Sequence, residues 1–174
     1  MYLLSMSSKL LLSLCSILKS CRSGIHAYLS GDIVECMARS DNVLNTGFCP
    51  RADRDSIELF TAALTFSPKN ADEARLKPQP SKKGKKGKSQ VLAPPMSEFD
   101  MLVIDLKQKG ETEIIEPLQG PAIMIVTGGK GLLTAEGRKE HELKEGYVFF
   151  VGYDTELELV AEEGLEVHIA YAEA

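Results

Sequence analysis

Residues 143–151 read LKEGYVFFV, in which a glutamate–glycine turn leads into a run of aromatic and β-branched side chains. Further along, residues 156–160 read ELELV and alternate polar with apolar side chains. Such alternation is expected for a strand with one buried face, and glycine commonly marks the turn before a strand. These two stretches predict short antiparallel strands separated by glycine turns.

The same pattern extends back to Glu98 and predicts six short strands. We expect them at Asp100–Leu106, Ala122–Thr127, Gly131–Ala135, Tyr147–Val151, Glu156–Val160 and Val167–Ala172. Glycine-containing turns are predicted between them, including Gly128-Gly129 and Glu163-Gly164. Six short strands with this punctuation favour a sandwich or barrel, and the turn-and-strand phrase at residues 143–151 is typical of small jelly rolls. The fold class is therefore predicted to be mostly β.

Charge is distributed unevenly along the 174 residues. Residues 1–97 carry 14 Lys and Arg against 8 Asp and Glu, a net charge of +6, whereas residues 98–174 carry 6 against 17, a net charge of −11. Such asymmetry favours separate structural units. The acidic part repels nucleic-acid phosphates, and we expect no nucleic-acid partner.

The first 25 residues contain no acidic side chain and include the apolar run LLLSLCSIL at residues 10–18. This run is too short to cross a bilayer, which needs about 20 apolar residues, and no membrane association is expected. Three interpretations remain open: a signal peptide, an amphipathic helix and a stretch with no native role. Lys19 and Arg22 stand where a signal-peptide cleavage site needs small residues.

One helix and then a linker are predicted between residues 26–50 and the first of the six strands. Asp55 can cap a helix near residues 55–66, and Glu58 can return a hydrogen bond to the cap. Residues 67–97 follow, with the basic tract KKGKKGK at residues 82–88. Because its lysines repel one another, we expect a solvated linker or loop. A nuclear-localisation or polyanion-binding patch is the alternative.

Residues 26–50 read HAYLSGDIVECMARSDNVLNTGFCP. The stretch resembles the second sequence pattern of the type I mannose-6-phosphate isomerases (phosphomannose isomerases), which contains His-Ala-Tyr, Gly, Glu, Met-Ala, Ser-Asp-Asn and Arg-Ala-Gly in this order. The phrases PPMSEF at 94–99 and LQGPAI at 118–123 also resemble that family's C-terminal domain. The resemblance covers residues 26–174 and leaves residues 1–25 unmatched.

This resemblance implies cupin-like barrels, with residues 26–66 ending a catalytic barrel and residues 98–174 forming a C-terminal one. It also implies zinc-dependent interconversion of mannose 6-phosphate and fructose 6-phosphate, which feeds GDP-mannose synthesis. Such an isomerisation moves a proton between two carbons and needs a base and an electrophile. Zinc can orient the sugar oxygens as a Lewis acid.

By the same resemblance, His26 is a zinc ligand, and its neutral imidazole suits that ion. Asp41 falls where family members hold the substrate and is assigned with Glu35 to the catalytic site. Tyr28 is assigned to substrate binding and is expected to line the same active-site wall as Glu35.

Two positions depart from the family's pattern. Asn45 replaces the arginine to which the family gives a catalytic role, and it carries no positive charge. Arg51 replaces a lysine and keeps a cation that can meet the substrate's phosphate.

The family's other zinc ligands, a Gln-x-His pair and a Glu, precede this block and have no counterpart here. His141 and His168 lack His-x-His spacing and are expected to be structural. Because a catalytic zinc needs about three protein ligands, we expect a C-terminal part of such an enzyme that is inactive alone. The alternative is a non-catalytic cupin-like β domain that acts by binding or assembly, without metal.

The four cysteines, at positions 15, 21, 36 and 49, form no CxxC pair. Unclustered cysteines in an acidic chain fit a reducing compartment, and we expect the cytoplasm. We expect a small-molecule sugar phosphate as partner.

Overall fold

The computed structural model describes residues 34–36, 51–63, 76–94, 98–136 and 139–172. The chain divides into two compact units, Met1–Leu76 and Lys77–Ala174. The predictions for residues 1–25 lie outside the described residues, as do most of those for residues 26–50.

The described helices belong to the first unit and are α1 (Arg51–Arg54) and α2 (Ile57–Ala63). Ser56 fills the cap position that the sequence predicted for Asp55, because the backbone N–H of Leu59 donates to Ser56 Oγ at 3.2 Å. A serine that accepts from the third helical N–H is a favoured N-cap. Residues 64–66 of the predicted helix lie outside the described part of the chain.

Eight strands are described in the second unit, and all their pairings are antiparallel. They are β1 (Gln79–Pro80), β2 (Ser89–Leu92), β3 (Asp100–Leu106), β4 (Thr112–Ile115), β5 (Ala122–Ala135), β6 (Lys139–Lys144), β7 (Val148–Val151) and β8 (Leu157–Tyr171).

The two long strands, β5 and β8, pair with each other and are shared by two halves of the sheet. In one half the order is β1-β2-β3-β8-β5-β7. In the other half β4 pairs with the first part of β8, and β6 pairs with the last part of β5. The prediction of a mostly β fold is confirmed by this arrangement.

Glycines allow β5 and β8 to approach closely where the two halves meet. The pairing register shifts between Val126 and Gly128 and again between Gly129 and Gly131. A Cβ on Gly129 would lie 2.0 Å from the carbonyl oxygen of Gly164, and one on Gly131 would lie 2.3 Å from that of Val160. The predicted turns at Gly128-Gly129 and Glu163-Gly164 are therefore wrong, since both pairs lie inside continuous strands, where Gly129 closely approaches the backbone of Gly164.

Both halves contribute to a single hydrophobic core. Its buried side chains come from β3, β4, β5, β6, β7 and β8 and include Leu102, Ile115, Met124, Leu143, Val151 and Leu159. Burial alternates along β3, where Leu102, Ile104 and Leu106 are fully covered. This period of two in burial is expected of a strand with one face in the core.

The prediction of a linker or loop over residues 67–97 is wrong for β1 and β2, whereas residues 81–88 between them form a loop. Strand β2 pairs with β3 over Ser89 to Leu92, and β1 pairs with β2. Ser89 and Leu92 are buried, and the second unit begins at Lys77. The segment that contains β1 and β2 is therefore part of the barrel. Its lysine tract is held by a carboxylate from a strand that is distant in sequence, as described below.

Candidate functional site

Four of the six residues predicted to form the site, His26, Tyr28, Asp41 and Asn45, lie outside the described residues. Glu35 lies in a short segment without regular secondary structure, and its side chain is exposed. The grouping of these residues into one site stays a prediction.

Arg51 is the first residue of α1, and its guanidinium is on the protein surface. Its Nε donates to Asp55 Oδ2 at 3.2 Å, and the two side chains are 86% and 55% exposed. Exposed pairs of this spacing contribute only a few tenths of a kcal/mol, roughly 0.3–0.5. A phosphate could therefore compete with Asp55 for this cation at small cost.

Cys36 lies next to Glu35 in sequence and is half-buried. Burial raises the pKa of its thiol. A thiol with a raised pKa is a poor nucleophile, because the thiolate is the reactive form. Cys36 is therefore a poor candidate for a catalytic nucleophile.

Glu113 of β4 is a buried polar residue that sequence reasoning missed, and its side chain has no exposed surface. Oε1 accepts from the backbone N–H groups of Lys86, at 2.8 Å, and Ile114, at 2.9 Å. Oε2 accepts from the backbone N–H of Lys88, at 2.5 Å, and from Ser89 Oγ, at 3.1 Å. Four donors satisfy this carboxylate, which explains how it tolerates burial.

The lysines around Glu113 pair with acidic and polar side chains of the same barrel. Lys85 Nζ lies 2.5 Å from Glu156 Oε2, and Lys88 Nζ lies 2.8 Å from Glu111 Oε1. These hydrogen bonds raise the pKa of Lys85 and Lys88, while Lys88 lowers the pKa of Glu111. Part of the tract's positive charge is thus matched inside the fold, which weakens the polyanion-binding alternative.

His168 of β8 is the second buried titratable group, and only 1% of its surface is exposed. Its Nδ1 lies 3.1 Å from Thr127 Oγ1, and the hydroxyl of Thr127 donates to Glu166 Oε1 at 2.8 Å. Burial lowers the pKa of His168, partly offset by the charges of Glu166 and Asp105. This agrees with the structural role predicted for the residue.

The described residues do not supply a zinc site. Among them, no three His, Cys, Asp or Glu side chains are grouped so that they could hold a metal ion. His141 and His168 lie on different strands, and His168 is engaged with Thr127. His26, the predicted zinc ligand, lies outside the described part.

Within the described segments, no helix has the length and apolar character needed to span a membrane.

Several solved structures are similar to about half of the chain. One is a cupin protein from Bacteroides fragilis, 18% identical with a TM-score of 0.43, over 49% of this chain and 76% of that one. Another is an RmlC-like cupin family protein with a double-stranded β-helix fold from Methanocaldococcus jannaschii, 21% identical with a TM-score of 0.40, over 45% of this chain and 72% of that one.

Sequence comparison gives a more specific result. Residues 91–138 match the family described as phosphomannose isomerase type I C-terminal. The mannose-6-phosphate isomerase of Emericella nidulans is 41% identical over 140 residues, which are 76% of this chain and 30% of that protein. The mannose-6-phosphate isomerase of Candida albicans is 40% identical over 142 residues, which are 79% of this chain and 32% of that protein.

The family match begins inside β2, which agrees with the placement of that strand in the barrel. The chain spans about a third of the length of the curated relatives it matches. Through its C-terminal barrel, it belongs to the type I phosphomannose isomerase family.

Proposed function

We propose that this chain is the C-terminal part of a zinc-dependent mannose-6-phosphate isomerase and has no isomerase activity alone. The observation that carries the proposal is the 41% identity to a mannose-6-phosphate isomerase over 140 residues. We also propose that the product of the isomerase feeds GDP-mannose synthesis. A cytoplasmic location, inferred from the unclustered cysteines, is part of the same proposal.

All six proposed site residues precede the barrel. His26 would supply one zinc ligand, and Tyr28 and Arg51 would contact the sugar phosphate. Asp41 and Glu35 would supply carboxylates suited to moving a proton between adjacent carbons. Since a catalytic zinc needs about three protein ligands, activity requires ligands from other polypeptide.

The alternative is a non-catalytic domain that acts by binding or assembly, and the packing of the barrel supports the assembly role. The side chains that point inward along β3, β5 and β8 are apolar and join one core. An interior filled in this way favours a packing role over a ligand cavity. The two roles are compatible, because the proposed site residues all lie before the barrel.

The first test uses the purified chain with added zinc. We expect no interconversion of mannose 6-phosphate and fructose 6-phosphate and no stoichiometric zinc by metal analysis. Turnover that is abolished by His26→Ala would contradict the proposed inactivity.

The second test restores the missing ligands by exchange. Residues 26–174 replace the matching C-terminal third of the Emericella nidulans isomerase, and zinc content and isomerase rate are measured. We expect zinc binding that His26→Ala removes, while the control His141→Ala retains it. We also expect Asn45→Arg to raise the rate, since a guanidinium stabilises phosphate and enediolate charge better than an amide. A folded hybrid in which His26→Ala leaves zinc content unchanged would overturn the assignment.

A further inference from the structure

His168 is placed where its protonation state matters to the barrel. It pairs with Val103 of β3 on one side and with Ile125 of β5 on the other. Its Nε2 is buried and has no hydrogen-bond partner. A buried ring atom without a partner makes the two neutral tautomers and the cation unequal in free energy.

The hydrogen bonds select one tautomer. The hydroxyl of Thr127 has a single proton, and its shortest acceptor is Glu166 Oε1 at 2.8 Å. The hydroxyl oxygen can then accept from Nδ1, which lies 3.1 Å away. Nδ1 therefore carries the proton, and Nε2 is left as a bare lone pair. The opposite tautomer would bury an N–H donor without an acceptor, which is the costlier choice.

The charged groups near His168 come from two of the strands around it. Glu166 lies two residues away on β8, and Asp105 lies on β3 and pairs with Lys107, the residue after that strand. From β5 the contact is the neutral hydroxyl of Thr127. Glu166 and Asp105 favour a charged imidazole, but burial outweighs them and lowers the pKa of His168.

We propose that His168 is an acid-sensitive element of the barrel. In the folded protein it is the neutral Nδ1–H tautomer, held through Thr127 to Glu166. Acid adds a solvent proton to Nε2, which has no acceptor, and the resulting cation weakens the pairing of β8 with β3 and β5.

The sign of the effect follows from linkage. The pKa of His168 is lower in the folded state than the value of about 6.5 expected for an unfolded chain, so the unfolded state binds the proton more strongly. Stability is full above about pH 6.5 and decreases as the pH falls towards the folded pKa. One proton changes the folding equilibrium constant by up to about tenfold per pH unit.

Nitrogen-15 NMR of the full chain tests the tautomer without any variant. We expect His168 to show the Nδ1–H form at neutral pH and to titrate below the unfolded value. An Nε2–H form, or a titration at or above the unfolded value, would overturn the proposal.

Urea unfolding between about pH 7.5 and pH 5, a window that brackets the unfolded histidine pKa of about 6.5, tests the stability effect. The wild type is expected to lose stability across this window, and His168→Gln is expected to lose markedly less. The control His141→Gln removes the other described histidine, and the proposal requires it to keep the wild-type loss.

Thr127→Val keeps His168 and the strand shape but removes the acceptor of the Nδ1 proton. We expect this variant to fold and to show a reduced share of the Nδ1–H tautomer. An unchanged tautomer in Thr127→Val, or an unchanged acid loss in a folded His168→Gln, would contradict the proposed arrangement.

Discussion

At the scale of single residues, the buried carboxylate of Glu113 connects two parts of the chain that are far apart in sequence. It accepts backbone hydrogen bonds from Lys86 and Lys88 and so fixes the path of the glycine–lysine tract. Gly84 lies beside it, and a Cβ there would come within 2.7 Å of Glu113 Oε2 and 2.4 Å of Ser89 Oγ. The tract is therefore ordered by contacts rather than by its own propensity.

We expect Glu113→Gln to lower the free energy of unfolding by about 2–4 kcal/mol, because an amide loses one acceptor oxygen and leaves two donors unpaired. Urea unfolding monitored by circular dichroism measures the change. The matched control is Glu116→Gln, an exposed glutamate in the segment that follows β4, which should change stability by less than about 0.5 kcal/mol. Equal effects of the two substitutions would show that the contacts of Glu113 do not stabilise the barrel.

Little in the sequence pointed to this residue. Glu113 occupies an inward position of the short strand Thr112–Ile115, where Ile115 alone marks a buried face. A glutamate in such a position is usually solvated, and its four donors come from residues 86, 88, 89 and 114. Only the three-dimensional pairing of strands brings most of them together.

At the scale of elements, the close approach of β5 and β8 depends on glycine for steric reasons. Gly131 has an ordinary backbone conformation, yet its Cβ would meet the Val160 carbonyl oxygen at 2.3 Å and Leu165 Cδ2 at 2.9 Å. Contacts that short with backbone atoms require one strand to move.

We therefore expect Gly131→Ala to destabilise the barrel by about 3 kcal/mol or more, as overpacking against backbone does. Gly152→Ala is the control, since its Cβ would find nothing nearer than Thr155 Oγ1 at 3.7 Å and its backbone is also unstrained. Thermal and urea unfolding of both variants measure the difference. A stable Gly131→Ala variant would show that the two strands separate readily at this point.

Strands with clear alternation were predictable, and polar or glycine-bearing ones were not. The predicted bounds Asp100–Leu106 are confirmed by β3. β6 was missed because its sequence KEHELK buries only Leu143. β5 and β8 were each split in two, because glycine inside them was interpreted as a turn.

At the scale of the whole molecule, the unit boundary lies at Lys77 rather than at the predicted residue 98. A barrel that starts at residue 98 lacks β1, β2 and three of the four donors to Glu113. It also loses the burial of Leu92 and leaves the edge of β3 unpaired.

We expect a fragment of residues 77–174 to unfold cooperatively. A fragment of residues 98–174 is expected to be less stable by roughly 2–5 kcal/mol, because losing a buried leucine or comparable contacts usually costs that much. Calorimetry or urea unfolding of both fragments compares them. Equal stability of the two fragments would show that β1 and β2 do not stabilise the barrel and act only as a linker.

The assignment of the site residues rests on the family resemblance, since composition and periodicity did not suggest it, and it stays a prediction. Short polar stretches such as Ser40-Asp41-Asn42 look like turns on physical grounds alone. The acid sensitivity proposed for His168 was likewise hidden, because Thr127 and Glu166 meet it only after β5 has paired with β8.

The central place of β8 has a consequence for biosynthesis. This strand borders β3, β4 and β5, so these three earlier strands have a common neighbour only after residues 157–171 have left the ribosome. Until then the nascent chain exposes the edge of β3 and the apolar face of β5 to solvent. Synthesis proceeds at about 5–20 residues per second, so this exposure lasts until the residues of β8 have been made. During this interval chaperones would find the most exposed apolar surface to bind.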